Sequence, residues 1–336
     1  MSEKRIQNKN VRIAIFAALV LFALILPMVI PNQYVIRLAT LTVMYASLAV
    51  SLNLISGFMG QVSLGHAAFL GIGAYTSAIL SMRLKWPFIV TVLIALLLSA
   101  VFGVILGIPS LKLSGSYLAI VSLGFCEIIR LIELNWSSLT RGPMGLTGIP
   151  RPSIFGMTIK SPAAYYYLAV VMTAIVCAVI SNLLKSHYGR AIQSIREDPV
   201  AAEAMGVNVF RYKVMTFAIS AAFCGFMGAF YAHYMRFVDP TTFNFEQSTQ
   251  ILSMVILGGS GSIPGSFIGA LLLSVIPELL REFTDIRMLV YGLVIVVMII
   301  FRPQGICGRK SLADLLLTKK KYAEKADRTE GGAANE

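Results

Sequence analysis

Residues 57–75 read GFMGQVSLGHAAFLGIGAY, in a chain that is otherwise mostly greasy. Five glycines, a glutamine, a serine and a histidine stand where lipid should be. Leu, Ile and Val alone suffice to dissolve a helix in a bilayer. Glycine loosens the backbone instead, and buried polar groups cost free energy unless they find partners. Non-helical backbone at membrane depth persists only where it is buried in protein or lines a watery cavity. Gly57, Gly60, Gln61, Ser63 and Gly65 are therefore candidates for a translocation pathway, with a plain kink between two spans as the alternative. Ala67, Gly71, Ala74 and Ala78 share one helical stripe of small residues, the usual seat of a closely packed second helix.

The bulk numbers agree that this is a membrane protein. The chain has 336 residues, 57% hydrophobic and 13% charged, with a mean hydropathy of +0.78. A soluble domain is about half apolar and about a quarter charged. The net charge of +12 sits at the N-terminus (Lys4, Arg5, Lys9, Arg12), around residues 185–213, and in the tail (Lys319, Lys320, Lys321). Basic residues in short flanks stay on the cytosolic side, so the excess reads as topology and not as a nucleic-acid surface. Cys126, Cys177, Cys224 and Cys307 stand singly without metal or redox spacing. The first apolar run is too long for a signal-peptide core and lacks a cleavage site, so an uncleaved span is expected.

A crossing needs about 20 apolar residues. Expected spans are 12–31, 34–56, 62–82, 87–109, 117–134, 163–184, 213–235, 246–259, 264–281 and 287–302. This predicts an all-α polytopic bundle of about ten spans, some short or broken, with both termini cytosolic. A cytosolic arm (1–11) precedes the transmembrane domain (12–304), and a basic cytosolic tail (305–336) follows it. Residues 246–281 could form one long span. The turn formers Gly258, Gly259, Gly261, Pro264 and Gly265 favour two, and only two return the basic tail to the cytosol. The stretch 135–162, with four glycines and four prolines, predicts an ordered outer loop without helix. VSLG occurs at 62–65 and again at 121–124, and GFMGQV at 57–62 echoes GGSGSI at 258–263.

Three constellations bear on chemistry. Gly60 and Gly65 have the glycine spacing of a phosphate loop, but His66 and Ala67 follow where Lys and Ser or Thr are needed. Nothing here predicts nucleotide binding, and no cofactor or metal site is expected. Glu127, Arg130 and Glu133 recur every three residues in span five. The pairs Glu127–Arg130 and Arg130–Glu133 can then partly neutralise each other. They mark either a path through the bundle, where Ser122 and Glu127 would contribute, or an interhelical ion pair near the outer surface. In the cytosolic loop 185–213, EDPVAAEAMGV writes a miniature helix. Asp198 caps it, Pro199 takes its first position and Gly206 ends it. Val200, Ala201, Ala204 and Met205 give it a small apolar face, fit either for a groove on another protein or for the membrane surface.

NLISGFMGQVSLGHAAFLGIGAY, SYLAIVSLGF with LTRGPMGLTGIPRP, and GRAIQSIREDPVAAEAMGVNVFRYK together resemble the permease subunits of bacterial ABC importers for branched-chain amino acids, of the LivM type. With GGSGSIPGSFIGA the resemblance covers roughly residues 35–305. It implies a multi-pass protein of the bacterial inner membrane that is not an enzyme. Its implied partners are a second homologous permease, two cytosolic ABC ATPase subunits and a periplasmic substrate-binding protein, with membrane lipid around it. By that resemblance Arg196, Glu197, Asp198, Pro199, Ala202 and Gly206 belong to the ATPase-coupling segment, and residues 136–152 face the binding protein. Gly57, Gly60, Gln61, Ser63, Gly65, His66, Ser122 and Glu127 are the candidate pathway residues.

Two other functions compete. The same family also serves urea and other small solutes. An ion-coupled secondary transporter would work without ATPases and would want an unpaired carboxylate in the membrane. An intramembrane enzyme is disfavoured, because His66, His187 and His233 lie in separate segments with no zinc-protease spacing.

Overall fold

The computed structural model describes residues 32–109, 113, 115–154 and 157–279, with 27, 292 and 305–307 besides. The N-terminal arm and spans 12–31 and 287–302 lie outside the described residues apart from 27 and 292, as does the tail apart from 305–307. Each of the other expected spans contains a helix over most of its described residues. Helix α1 is Gln33–Asn53, continued by a π-turn at Leu54–Phe58, and α2 is His66–Arg83. Helix α3 (Phe88–Gly107), α4 (Ser116–Asn135) and α6 (Pro162–Lys185) follow, the last two separated by the loop that contains a one-turn helix α5 (Ser137–Thr140). The basic segment holds α7 (His187–Glu197) and α8 (Pro199–Ala204), then come α9 (Val209–Met235), α10 (Phe245–Gly258) and α11 (Ile263–Leu279). Among the described residues, Gln33–Phe58, Phe88–Gly107, Pro162–Lys185 and Val209–Met235 are long and apolar enough to cross a membrane. The protein is a helical, multi-pass membrane protein.

Side-chain oxygens set several helix starts. Asn32 accepts from the amide of Tyr34 at 2.9 Å, Asn208 from Arg211 at 3.0 Å and Asn244 from Gln247 at 2.9 Å. Such caps satisfy amides that the helix itself leaves unpaired. The bundle is centred on α9, which packs along α2 and α3. A Cβ on Gly73 would lie 2.2 Å from the Gly225 carbonyl oxygen, and one on Gly228 would lie 2.2 Å from that of Leu70. No side chain larger than a hydrogen fits there, so the two backbones touch. The expected stripe of Ala67, Gly71, Ala74 and Ala78 is buried throughout. The closest approach nonetheless runs through Gly73, beside it, because that position faces Gly225.

The two ends of the bundle differ. At one end lie α7, α8 and the turn between α10 and α11. At the other the loop after α4 is pinned to the helices: Leu146–Thr147 pairs antiparallel with Phe237–Val238, and His233 joins its Nδ1 to the Pro150 carbonyl at 2.8 Å. The loop was expected to contain no helix, yet Ser137–Thr140 makes one turn. Thr140 drives it, its hydroxyl donating to the carbonyls of Glu133 (2.7 Å) and Trp136 (2.8 Å). The described part of 246–281, up to Leu279, is two helices and not one. Gly258, Gly265 and Gly269 let them pack as a hairpin, a Cβ on Gly258 falling 2.0 Å from the Gly265 carbonyl oxygen.

Outward faces are greasy. Leu93, Leu97, Val101 and Ile105 of α3, with Val171, Ile175 and Val179 of α6, are exposed at helical spacing. These are surfaces for lipid or for another membrane subunit.

Candidate functional site

The opening stretch breaks the helix as its composition predicts. After Asn53 the chain makes the π-turn, a device common at functional positions. It then runs without regular structure from residue 59 to 65 before α2 begins at His66. The expected span over 62–82 therefore starts four residues late. Gly65 precedes α2 without any side-chain cap of its own. The unpaired amides there are covered from other helices instead. Ser122 Oγ accepts from Leu64 N at 2.8 Å, and Ser248 Oγ accepts from Ala67 N at 2.9 Å.

His66 is fully buried, its Nε2 2.9 Å from Ser51 Oγ. Ser220 donates to the carbonyl of Ser51 at 2.5 Å, and Cys224 Sγ lies 3.2 Å from the carbonyl oxygen of His66. Ser63, Gly65, His66 and Ser122 are thus brought together in the interior, where Ser51, Ser220 and Ser248 join them. Gln61 is also buried, and its Oε1 has no hydrogen-bond partner.

Gly57 and Gly60 part from that group and meet the basic segment. Arg196 Nη1 donates to the Gly57 carbonyl. A Cβ on Gly60, whose φ is +76°, would lie 2.8 Å from Arg196 Cγ. Behind them Asn53 stitches the first break to the second. Its Oδ1 accepts from Gly261 N at 2.8 Å, and its Nδ2 donates to the Ser262 carbonyl at 3.0 Å and to Ser266 Oγ at 2.8 Å. The faint echo between GFMGQV and GGSGSI corresponds to two glycine breaks in direct contact.

Glu127 stands apart from the other pathway candidates. It accepts from Arg130 Nε at 2.8 Å on a partly exposed face of α4. The expected Arg130–Glu133 pair does not form. Glu133 turns inward, buried, with neither oxygen hydrogen-bonded. It points to α2, where a Cβ on Gly71 would come within 2.6 Å of its Oε1. Spacing alone put the three side chains near one face, but less than two turns of helix separate a paired from an unpaired carboxylate.

The miniature helix is as written. Asp198 Oδ1 accepts from Val200 N (2.8 Å) and Ala201 N (3.1 Å), Pro199 opens the helix, and Gly206 closes it at φ +84°. Ala202 is buried, whereas Val200 and Met205 are 75% and 85% exposed. Sequence reading missed α7, although Tyr188, Ile192 and Ile195 recur at helical spacing on a single face, the two isoleucines buried. Tyr188 bonds Thr216 of α9 at 2.7 Å. Burial lifts its phenol to about 12, against a smaller opposing effect of the Thr216 bond, so it stays protonated at neutral pH. Glu197 and Asp198 sit at the junction of α7 and α8, leaving no slack between the two.

A family model described as "Branched-chain amino acid transport system / permease component" matches residues 34–301. The chain is 37% identical over 312 residues to the high-affinity branched-chain amino acid transport system permease protein LivM of Escherichia coli (strain K12), covering 86% of this chain and 73% of that protein. It is 24% identical over 290 residues to the corresponding LivH protein of Salmonella typhimurium (80% and 93% covered). To the BraD permease protein of Pseudomonas aeruginosa it is 23% identical over 287 residues (79% and 92%). No solved structure matches the chain.

Proposed function

This chain belongs to the family of branched-chain amino acid transport permease components, and we propose that it forms the membrane pathway of an ABC importer for small apolar amino acids. A periplasmic binding protein delivers the cargo, and separate ATPase subunits drive its passage across the bacterial inner membrane. A second, homologous permease completes the pathway. The chain's similarity to proteins named LivM and to others named LivH favours such a pair. The ten-span reading, with both termini cytosolic, places the α7–α8 end in the cytosol and residues 136–152 outside.

In this reading the α7–α8 unit takes up the ATPase stroke. The observation that carries it is α8 itself: a helix capped at both ends by Asp198 and Gly206, presenting Val200 and Met205 to solvent. Apolar side chains held out on a stiff stub are suited to a groove in another protein. Gly57, Gly60, Gln61, Ser63, Gly65, His66 and Ser122 lie on the pathway side of the bundle, where the broken backbone can change shape. Glu127 contributes charge balance to α4 and not a ligand to the cargo. The family is a transport component and not an enzyme.

Purification of the chain from its native membranes tests the assignment. Two nucleotide-binding subunits are expected with it, and Met205→Glu should release them while leaving the membrane helices assembled. Recovery of a chain that transports cargo in liposomes without any ATPase would overturn it.

A further inference from the structure

One side chain joins the basic segment to both glycine breaks. Arg196 is in the last turn of α7, two residues before the cap of α8. Its Nη1 donates to the carbonyl of Gly57, inside the π-turn that ends α1. Its Cγ covers Gly60, and its Nη1 lies 3.2 Å from where a Cβ on Gly261 would stand. Gly261 belongs to the second break, between α10 and α11.

The two breaks are themselves interlocked. A Cβ on Gly57 would fall 1.7 Å from Asn53 Oδ1 and 2.2 Å from Gly261 N. Asn53 uses both ends of its amide on Gly261, Ser262 and Ser266. The chain at 306–307 adds a third layer, Ile306 N and Cys307 N donating to the carbonyls of Leu257 (3.0 Å) and Gly258 (2.8 Å). The carbonyls at the end of α10 are thus paired within the protein. Among the described residues of this junction, Arg196 is the one carried by the α7–α8 unit.

We propose that Arg196 is the latch of the cytosolic mouth: its guanidinium holds the Gly57 and Gly261 breaks together, and displacement of the α7–α8 unit withdraws it and lets them part. The inference rests on the function proposed above and names the residue through which the stroke arrives. Arg196 is a positioning residue that acts through the two backbones and touches no cargo. A guanidinium suits the task because its planar fork offers several donors at fixed angles to neighbouring carbonyls. A cleft of about 80 Å³ lined by Phe58, Gln193, Arg196 and Gly261 opens beside it. The cleft leaves open space beside the guanidinium for it to enter as the α7–α8 unit shifts. Asn53, by contrast, is fully buried and serves as the hinge pin that keeps the breaks in register when the latch is off.

The test uses the complete complex, with its ATPases and binding protein, in proteoliposomes. Arg196→Met should lower cargo uptake at least tenfold while ATP hydrolysis continues, so ATP consumed per cargo molecule rises at least tenfold. Arg196→Lys, which keeps one donor cluster on a stem of similar length, should recover part of the lost uptake. An unchanged ratio of ATP to cargo overturns the latch. Loss of the ATPase subunits from the Arg196→Met complex also overturns it, because Arg196 would then belong to the ATPase seat.

A second measurement does not depend on that variant. Phe58→Cys and Gln193→Cys, both lining the cleft, are introduced into a cysteine-free chain that still supports uptake. A short bifunctional thiol reagent should bridge them in the nucleotide-free complex and block uptake until the bridge is reduced. Trapping the ATPases with ATP and vanadate should cut the bridging yield at least threefold. Equal yields in both states sink the latch alone, whereas an unaltered chain that brings no ATPases sinks the function it rests on.

Discussion

The backbone amide of Leu64 donates to Ser122 Oγ at 2.8 Å, so the two copies of VSLG, 62–65 and 121–124, meet in the interior. A helix that starts inside a membrane exposes unpaired amides, and water is not there to cover them. Ser122 and Ser248 do so from α4 and α10. The start of α2 is therefore fixed by tertiary contacts, in place of a local cap.

Removing that cover should be felt. Ser122→Ala leaves a buried amide unmade, at a cost of about 1–3 kcal/mol. Measurements in membranes tend to the low end because the unfolded reference also finds partners. The expected outcome is a lower melting temperature in detergent, with Ser122→Thr close to the parent. Ser248→Ala should behave similarly, acting on Ala67.

The glycines of α2 and α4 make opposite predictions although both lie in apolar helices. Gly73→Ala would set a methyl 2.2 Å from the Gly225 carbonyl oxygen, and backbone cannot step aside as a side chain can. Helices α2 and α9 must separate, with an overpacking cost of about 1–3 kcal/mol or more. Gly124→Ala meets nothing within 4 Å and should stabilise the helix by about 0.5–1 kcal/mol. Thermal unfolding of the two variants in the same detergent checks both signs.

How far the sequence could be read depended on range. The positions of the spans among the described residues, the two-helix hairpin within 246–279 and the capped helix at 198–206 were legible, since apolar length, turn formers and cap residues act over a few neighbours. The start of α2 was misplaced by four residues because Ser122 and Ser248 decide it from far along the chain. The meeting of Arg196 with Gly57 spans 139 positions and leaves no local pattern. Glu133 shows the limit from another side. Its spacing from Arg130 suggested a pair, but which way a side chain points on a helix depends on what packs there. Helix α7 could have been found, since Tyr188, Ile192 and Ile195 recur at helical spacing within the basic loop.

His233 ties the outer loop to the bundle through both ring nitrogens: Nε2 lies 2.9 Å from Ser77 Oγ and Nδ1 2.8 Å from the Pro150 carbonyl. The Phe88 ring meets it edge-on at 5.0 Å. His233→Phe keeps the ring and its packing but breaks both bonds. Residues 142–152 should then become at least several-fold more sensitive to protease added from outside. Uptake should require more binding protein to reach half-maximum, if this loop is where that protein docks. Intact protection would show that the pairing of Leu146–Thr147 with Phe237–Val238 suffices without the histidine.

The strongest constraint on the coupling assignment comes from two substitutions that leave the apolar surface of α8 unchanged. Asp198→Ala strips the cap from Val200 and Ala201, worth about 1 kcal/mol at a typical helix start. Gly206→Val adds bulk where nothing lies within 4 Å, so no contact is lost or gained inside the protein. What it does disturb is the backbone, since a φ of +84° is strained for a β-branched residue by about 1–3 kcal/mol. Both changes therefore loosen the stub without altering Val200 or Met205. If α8 works as a rigid peg, ATPase subunits should remain associated while cargo-stimulated hydrolysis falls several-fold, Gly206→Val more than Asp198→Ala. Were Val200 and Met205 merely resting on lipid, the stiffness of the helix would not matter, and coupling would be the same in all three proteins.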